Sequence, residues 1–284
     1  HGLHSSHLGG NRLKRQRVTM RLFVGRTYGR QIEHGHADCI TNLWVTMHNQ
    51  GVAGVLGKTS GDALLSRSRS LLASQFLRSD CDVLLTIDGD IEFVAADAIR
   101  MAKMCESGGY PLIGGLYMTR KLNTQPAAIL PEHEVVFGPG AKPVEVPFLS
   151  TGFMAVHRRV FEDIKQDLPL CHQNWEKDGR DESFWPFYMP FVIDWPGDVN
   201  LYLSEDWALC ERARQHGYCL WLDPSIRLGH VGEYRYEMED LLVHRPEAAP
   251  MVLRREADGA LHSDFARDKE APAESRELIG VQGG

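Results

Sequence analysis

The sequence predicts an α/β fold with a mainly parallel sheet flanked by helices, and three observations carry that prediction. Cys81-Asp-Val-Leu-Leu-Thr-Ile87 is a short, almost continuous apolar run, the pattern of a strand covered on both faces. Strand-like and helix-like segments alternate at βαβ length over most of the chain. With 284 residues, 43% hydrophobic and 24% charged, the chain is long enough for one large core.

The elements follow in order. Residues 21–26 read as the first strand, with Thr27-Tyr28-Gly29 as a loop after it. A helix over 37–49 and a second strand over 51–57 come next. Residues 61–77 place Leu64, Leu65, Leu71, Leu72 and Phe76 at near-helical spacing, an amphipathic helix. The strand 81–87 then ends abruptly in Asp88-Gly89-Asp90. A helix over 95–105 closes at Gly108-Gly109, and 111–116 form a strand. Residues 122–147, rich in Pro and Gly, make a hairpin-bearing excursion. A strand over 150–156 leads into a helix from Arg158. A dense aromatic block with Trp175, Phe184, Trp185, Phe187, Tyr188, Phe191 and Trp195 precedes a helix over 204–216 that Gly217 stops.

Three regions are expected: 1–19, a tag-like remnant with a basic arm; 20–244, the main domain; and 245–284, a tail that winds over the surface or is disordered. Residues 1–30 carry seven Lys/Arg and no acidic residue, whereas the chain from Val231 onward carries twelve acidic against seven basic. The net charge of −7 argues against broad nucleic-acid binding. Six cysteines lack any CxxC or zinc-ligand spacing and read as reduced, mostly buried thiols of a cytoplasmic protein. No apolar run reaches the ~20 residues of a membrane span.

Asp88-Gly89-Asp90 is the central chemical signal. It stands at the C-terminal end of a buried strand, the edge where open α/β sheets gather ligands. Two carboxylates one small residue apart suit a hard cation, and Gly89 lets the turn bring them close. Elsewhere the same tripeptide is an ordinary surface turn. Glu205 and Asp206 open a helix that Ser204 can cap, where they suit the helix dipole whether or not they do chemistry. His230, in Leu-Gly-His-Val-Gly, is either a structural histidine or a ligand.

This order of Asp-x-Asp, Ser150-Thr-Gly-Phe-Met, Ser-Glu-Asp-Trp and a late histidine resembles the motifs of GT-A glycosyltransferases. The resemblance implies a GT-A-like, Rossmann-type catalytic domain that uses a nucleotide-sugar donor, with a UDP-sugar favoured. It implies Mn²⁺ or Mg²⁺ at Asp88 and Asp90 with His230 completing the site, Gly152 in a loop near the donor sugar, and Glu205 with Asp206 facing the acceptor. If the reaction inverts, Asp206 is the base. Thr27 and Tyr28 fall where the family holds the nucleotide base. Arg67 or Arg69, in Ser66-Arg-Ser-Arg-Ser70, falls on its phosphate-neutralising stretch or on a solvated helix face. The aromatic block is either an acceptor platform or core beneath a loop. The acceptor is open: a saccharide, or less readily DNA or protein. Two rival readings are a sugar nucleotidyltransferase, of whose Gly-rich phosphate loop residues 24–30 are a thin version, and a non-catalytic carbohydrate-binding relative.

Overall fold

A computed structural model describes residues 20–28, 32–120, 124–172, 183–232, 234–241, 251–255 and 261–265. The N-terminal arm, Gly29, Trp175 and most of the C-terminal tail lie outside the described residues.

The first half of the chain forms β1 (Arg21–Tyr28), α1 (His34–Asn49), β2 (Ala53–Ser60), α2 (Leu65–Arg78), β3 (Val83–Asp88), β4 (Ile91–Glu92), α3 (Ala95–Glu106) and β5 (Leu112–Gly114). The excursion holds β6 (Ala128–Ile129), β7 (Val135–Phe137), β8 (Val144–Val146) and β9 (Phe148–Leu149). Then come β10 (Phe153–His157), α4 (Arg158–Ile164), β11 (Cys171–His172), β12 (Ser183–Phe184), β13 (Phe191–Trp195) and β14 (Val199–Leu203). The last elements are α5 (Glu205–Gln215), β15 (Leu220–Leu222), β16 (Gly229–Val231), β17 (Arg235–Tyr236), β18 (Met251–Arg255) and β19 (Leu261–Phe265). Strand β1 continues through Thr27 and Tyr28, which the sequence assigns to a loop, because both pair with β2.

The central sheet has the order β2-β1-β3-β10-β5-β15-β8. Five strands share one direction; β10, in the middle, and β8, at one edge, run against them. Both faces are covered, which is why β3 reads as a continuous apolar run. Val83, Leu85 and Ile87 pack with Ile40, Leu43 and Met47 of α1 and Ile99, Met101 and Ala102 of α3. Leu84 packs on the opposite face with Leu72, Ala73 and Phe76 of α2, Phe161 of α4 and Leu209 of α5. Each fully buried Leu or Phe contributes about 1.5–3 kcal/mol, so these two cores fix the three-layer arrangement.

Beside the main sheet, β16 pairs antiparallel with β4 and β17, and β13 with β14 makes a hairpin. Within the expected tail, β18 pairs with β7 and β19, and Leu253 is buried. Along that stretch backbone groups pair with β7 on one side and β19 on the other. Of the six free cysteines, Cys81, Cys105 and Cys210 are buried, Cys39 and Cys171 half-buried, and Cys219 exposed. Among the described residues no helix is long and apolar enough to cross a membrane.

Candidate functional site

Period two along β3 puts Asp88 on the face of Leu84 and Thr86, the side of α2. The stripe of α2 that meets this face, Leu72, Ala73 and Phe76, continues one turn back to Arg69. Arg69 Nη2 donates to Asp88 Oδ2 at 2.7 Å. Its Nη1 donates to Thr151 Oγ1 at 2.6 Å and to Asp206 Oδ1, and lies 3.5 Å from Glu205 Oε1. The Arg69 side chain is only 3% exposed. Burial works to lower its pKa, but Asp88, the Tyr117 phenol and Glu205 outweigh that and hold it above its ordinary value. Arg67, two residues earlier, turns away and donates to Asp62 through Nε and Nη2 at 2.7 and 2.6 Å. Of the two arginines, only Arg69 lines the cleft, and it is committed to carboxylates.

The register of β1 against β3 sets Thr27 beside Asp88, and Thr27 Oγ1 donates to Asp88 Oδ1 at 2.5 Å. The Asp88 amide donates to the Gly152 carbonyl at 2.9 Å. A Cβ at Gly152 would lie 2.5 Å from the Tyr117 hydroxyl and 2.9 Å from Asp88 Oδ2, so the loop reaches the strand end only because residue 152 has no side chain. Gly89 is required for a different reason from the one its turn suggested. It has no positive φ; a Cβ there would lie 2.7 Å from Tyr28 Cβ.

Beyond that turn, the pairing of β4 with β16 sets His230 opposite Ile91. His230 Nε2 lies 3.5 Å from Asp90 Oδ2, and Arg120 Nη1 reaches the same oxygen at 2.9 Å. His230 Nδ1 is 2.7 Å from the Met118 carbonyl, which can only accept, so Nδ1 carries the proton. In the neutral ring Nε2 then aims a lone pair at a carboxylate oxygen. Two facing acceptors call for a cation or a proton between them. With a proton on Nε2 as well, the ring donates to Asp90 and attracts it; in that form burial, which raises the Asp90 pKa, is outweighed by His230 and then Arg120, which hold it below the usual carboxylate value. Asp90 and His230 thus face each other as a carboxylate oxygen and an imidazole nitrogen that could share a proton or hold a cation. Asp88, expected as a third ligand, stands apart from this pair, with Thr27 on one of its oxygens and Arg69 on the other. Among the described residues no three His, Cys, Asp or Glu side chains gather closely enough to enclose a metal ion.

One cleft of about 530 Å³ brings together Thr27, Tyr28, Arg69, Asp88, Asp90, Glu205, Asp206 and His230, a volume in the range of small-molecule sites. Its Asp206 end is built by α5. Ser204 precedes that helix in extended conformation, but its hydroxyl makes no capping bond. The Asp206 carboxylate is drawn to Arg69 and also accepts from Thr151 Oγ1. Most of the aromatic block turns out to be core, with Phe184, Phe187 and Tyr188 buried. Tyr188 and Trp185 are anchored by backbone amides on Ser70 Oγ and Ser74 Oγ of α2. Trp195 is exposed, as are Val192 and Tyr202 across the β13–β14 hairpin.

Sequence reasoning missed Thr151, Tyr117 and Arg120. Thr151 stood inside a recognised motif, and its neighbour Gly152 drew the attention. Tyr117 is buried under the site with its ring edge on His230 at 5.1 Å. Arg120 carries no local signal, since its partner Asp90 is remote in sequence.

No protein-family profile matches the chain, and no curated protein does. Among solved structures, the chain is similar to GalNAc-T7 with UDP, GalNAc and Mn²⁺, at 12% identity and a TM-score of 0.40. The match covers 77% of this chain and 44% of that one, so the chain spans less than half the length of that neighbour. Likeness of this degree carries no activity across, and the case for function rests on the cleft itself.

Proposed function

We propose that this chain is a metal-dependent glycosyltransferase that moves a sugar from a nucleoside-diphosphate sugar, a UDP-sugar first among them, to an acceptor hydroxyl with inversion. The observation that supports it most is the facing pair of Asp90 Oδ2 and His230 Nε2, 3.5 Å apart, in the same cleft as Glu205 and Asp206. In this reading Asp90 and His230 hold the divalent ion, and an imidazole in the set favours Mn²⁺ over Mg²⁺. The ion supplies Lewis-acid stabilisation of the charge that develops on the departing diphosphate.

The chain's own groups do the rest. Met118 fixes the His230 tautomer through Nδ1. Asp88, held by Arg69 and Thr27, fixes the turn that carries Asp90. Tyr28 lines the cleft where it would meet the nucleotide base, backed by the Arg26 guanidinium 5.5 Å from its ring centroid. The bonds that Asp206 accepts fall on Oδ1, which leaves Oδ2 to take the acceptor's proton as its oxygen attacks the anomeric carbon and the bond to the diphosphate breaks. Glu205 positions Arg69 and the acceptor.

A hydrolysis panel of nucleotide sugars with and without Mn²⁺ tests the class, and the anomeric configuration of the product tests inversion. Asp206→Asn should cost transfer at least the ~10²-fold typical of base removal, with UDP binding in Mn²⁺ nearly unchanged by calorimetry. Near-normal turnover in that variant, or a retained configuration, would remove Asp206 from the role.

A further inference from the structure

Arg69 and Arg120 both line the cleft, and they differ in what they are free to do. Arg69 is enclosed by three carboxylates. Arg120 is 47% exposed and rests on two acceptors, Asp90 Oδ2 at 2.9 Å and the Val231 carbonyl at 3.2 Å. Its aliphatic stem lies against Gly232, where a Cβ would come within 3.0 Å of Arg120 Cδ. The oxygen it occupies is the one that faces His230 Nε2. A guanidinium and a divalent ion compete for one carboxylate oxygen, because their mutual repulsion at contact distance exceeds what an exposed ion pair returns. Arrival of the ion therefore favours release of Arg120 from Asp90. Of the other carboxylates that line the cleft, Asp88, Glu205 and Asp206 are already held by Arg69 and Asp62 by Arg67, which leaves Glu33 alone without a cation among the described residues. The anion that arrives with the ion is the better partner for the displaced fork, because its planar pair of N–H donors matches phosphate oxygens beside the same metal.

Resting on the reading of this cleft as a metal–nucleotide site, we propose that Arg120 is a resident counter-ion of Asp90 that yields its place to the divalent ion and then grips the donor's diphosphate. Its effects on the two ligands are opposite in sign. Arg120 competes with Mn²⁺ alone and assists UDP once Mn²⁺ is bound.

The test uses the full chain and the variants Arg120→Gln and Arg120→Lys. Free Mn²⁺ is titrated by electron paramagnetic resonance, and UDP is titrated by calorimetry at saturating Mn²⁺. Arg120→Gln should bind Mn²⁺ alone about two- to five-fold more tightly, the worth of an exposed ion pair. It should bind UDP roughly ten-fold more weakly or worse, the loss of a charge-assisted contact. Arg120→Lys keeps the charge without the fork, so Mn²⁺ affinity should stay near wild type while UDP affinity falls part of the way. Equal melting temperatures establish that the fold is intact. A purely structural Arg120 would weaken both ligands together, and an idle one would change neither; either result overturns the proposal while the metal site stands. If wild-type protein binds no Mn²⁺ and UDP binding ignores the metal, the reading of the cleft fails and this proposal with it.

Discussion

Asp88 and Asp90 stand two residues apart and belong to different regimes. Asp88 faces α2, where a guanidinium buried to 3% exposure and a strand hydroxyl hold both of its oxygens. Asp90 faces β16, where its companions are a half-exposed arginine and a histidine lone pair. Burial of the counter-ion makes the difference. A desolvated guanidinium cannot leave its carboxylates without stranding charge in a low dielectric, so the Asp88 side is architecture. An arginine at the surface leaves at small cost, so the Asp90 side is exchangeable.

The sharpest way to break this comparison is to remove each arginine in turn. Arg69→Gln leaves Asp88, Glu205 and Asp206 without their shared cation and should cost about 3–5 kcal/mol of stability in urea unfolding. Arg120→Gln should cost within ~1 kcal/mol. Comparable losses in the two variants would erase the distinction. Substituting the acids comes next. Asp90→Asn should abolish Mn²⁺-dependent UDP binding and leave the urea midpoint close to wild type, whereas Asp88→Asn should lower both. His230→Ala should weaken Mn²⁺ affinity by roughly 10- to 100-fold, the scale for loss of a group that holds or orients a metal. An unchanged titration would return His230 to a structural role.

The smallest effect concerns the support beneath Asp90. His36 is fully buried, and its Nδ1 donates to the carbonyl of Ile91, the residue after Asp90. Burial depresses its pKa, with Arg26 acting the same way against the Ile91 hydrogen bond and the carboxylates. Because the folded-state value lies below the unfolded one, stability is fully present above the ordinary imidazole value near ~6.5. It is lost as pH falls from there through the folded value, by at most ~1.4 kcal/mol per pH unit. Urea midpoints at pH 7.5, 6.5 and 5.5 should decline in wild type, and His36→Gln should flatten that decline over the same range.

Much of the fold was legible because its signals are local. The two-sided burial of β3 is written in its apolar run, and helix α4 begins at Arg158 as read. Arg69 was legible in part: a charge in register with Leu72, Ala73 and Phe76 is a charge inside an apolar stripe, which marks it off from Arg67. What that charge meets was not legible, because Asp206 lies 137 residues away in sequence. The excursion over 122–147 resisted reading since its strands are two or three residues long and pair with distant partners, β8 with β15 and β7 with β18. The aromatic block stayed open between two readings, because its composition suits a binding platform and a core alike. What draws its backbone toward the core is Ser70 and Ser74, small residues on α2 remote from it in sequence.

The reversed strand β10 has a consequence for the chain as it is made. In a wholly parallel sheet the cleft would be built from the exits of successive strands, but here the entry to β10 delivers Thr151 and Gly152 to the end of β3. Thr86 and Thr151, which meet there, are 65 residues apart. At the ~5–20 residues per second of synthesis, one edge of β3, a buried, largely apolar strand, stays unpaired for roughly 3–13 s after it emerges. An open apolar edge is a template for pairing with another chain. The ribosome-bound nascent protein is therefore at its most vulnerable between the appearance of Asp88 and that of His157, and a truncation ending in that interval should aggregate where the complete chain does not.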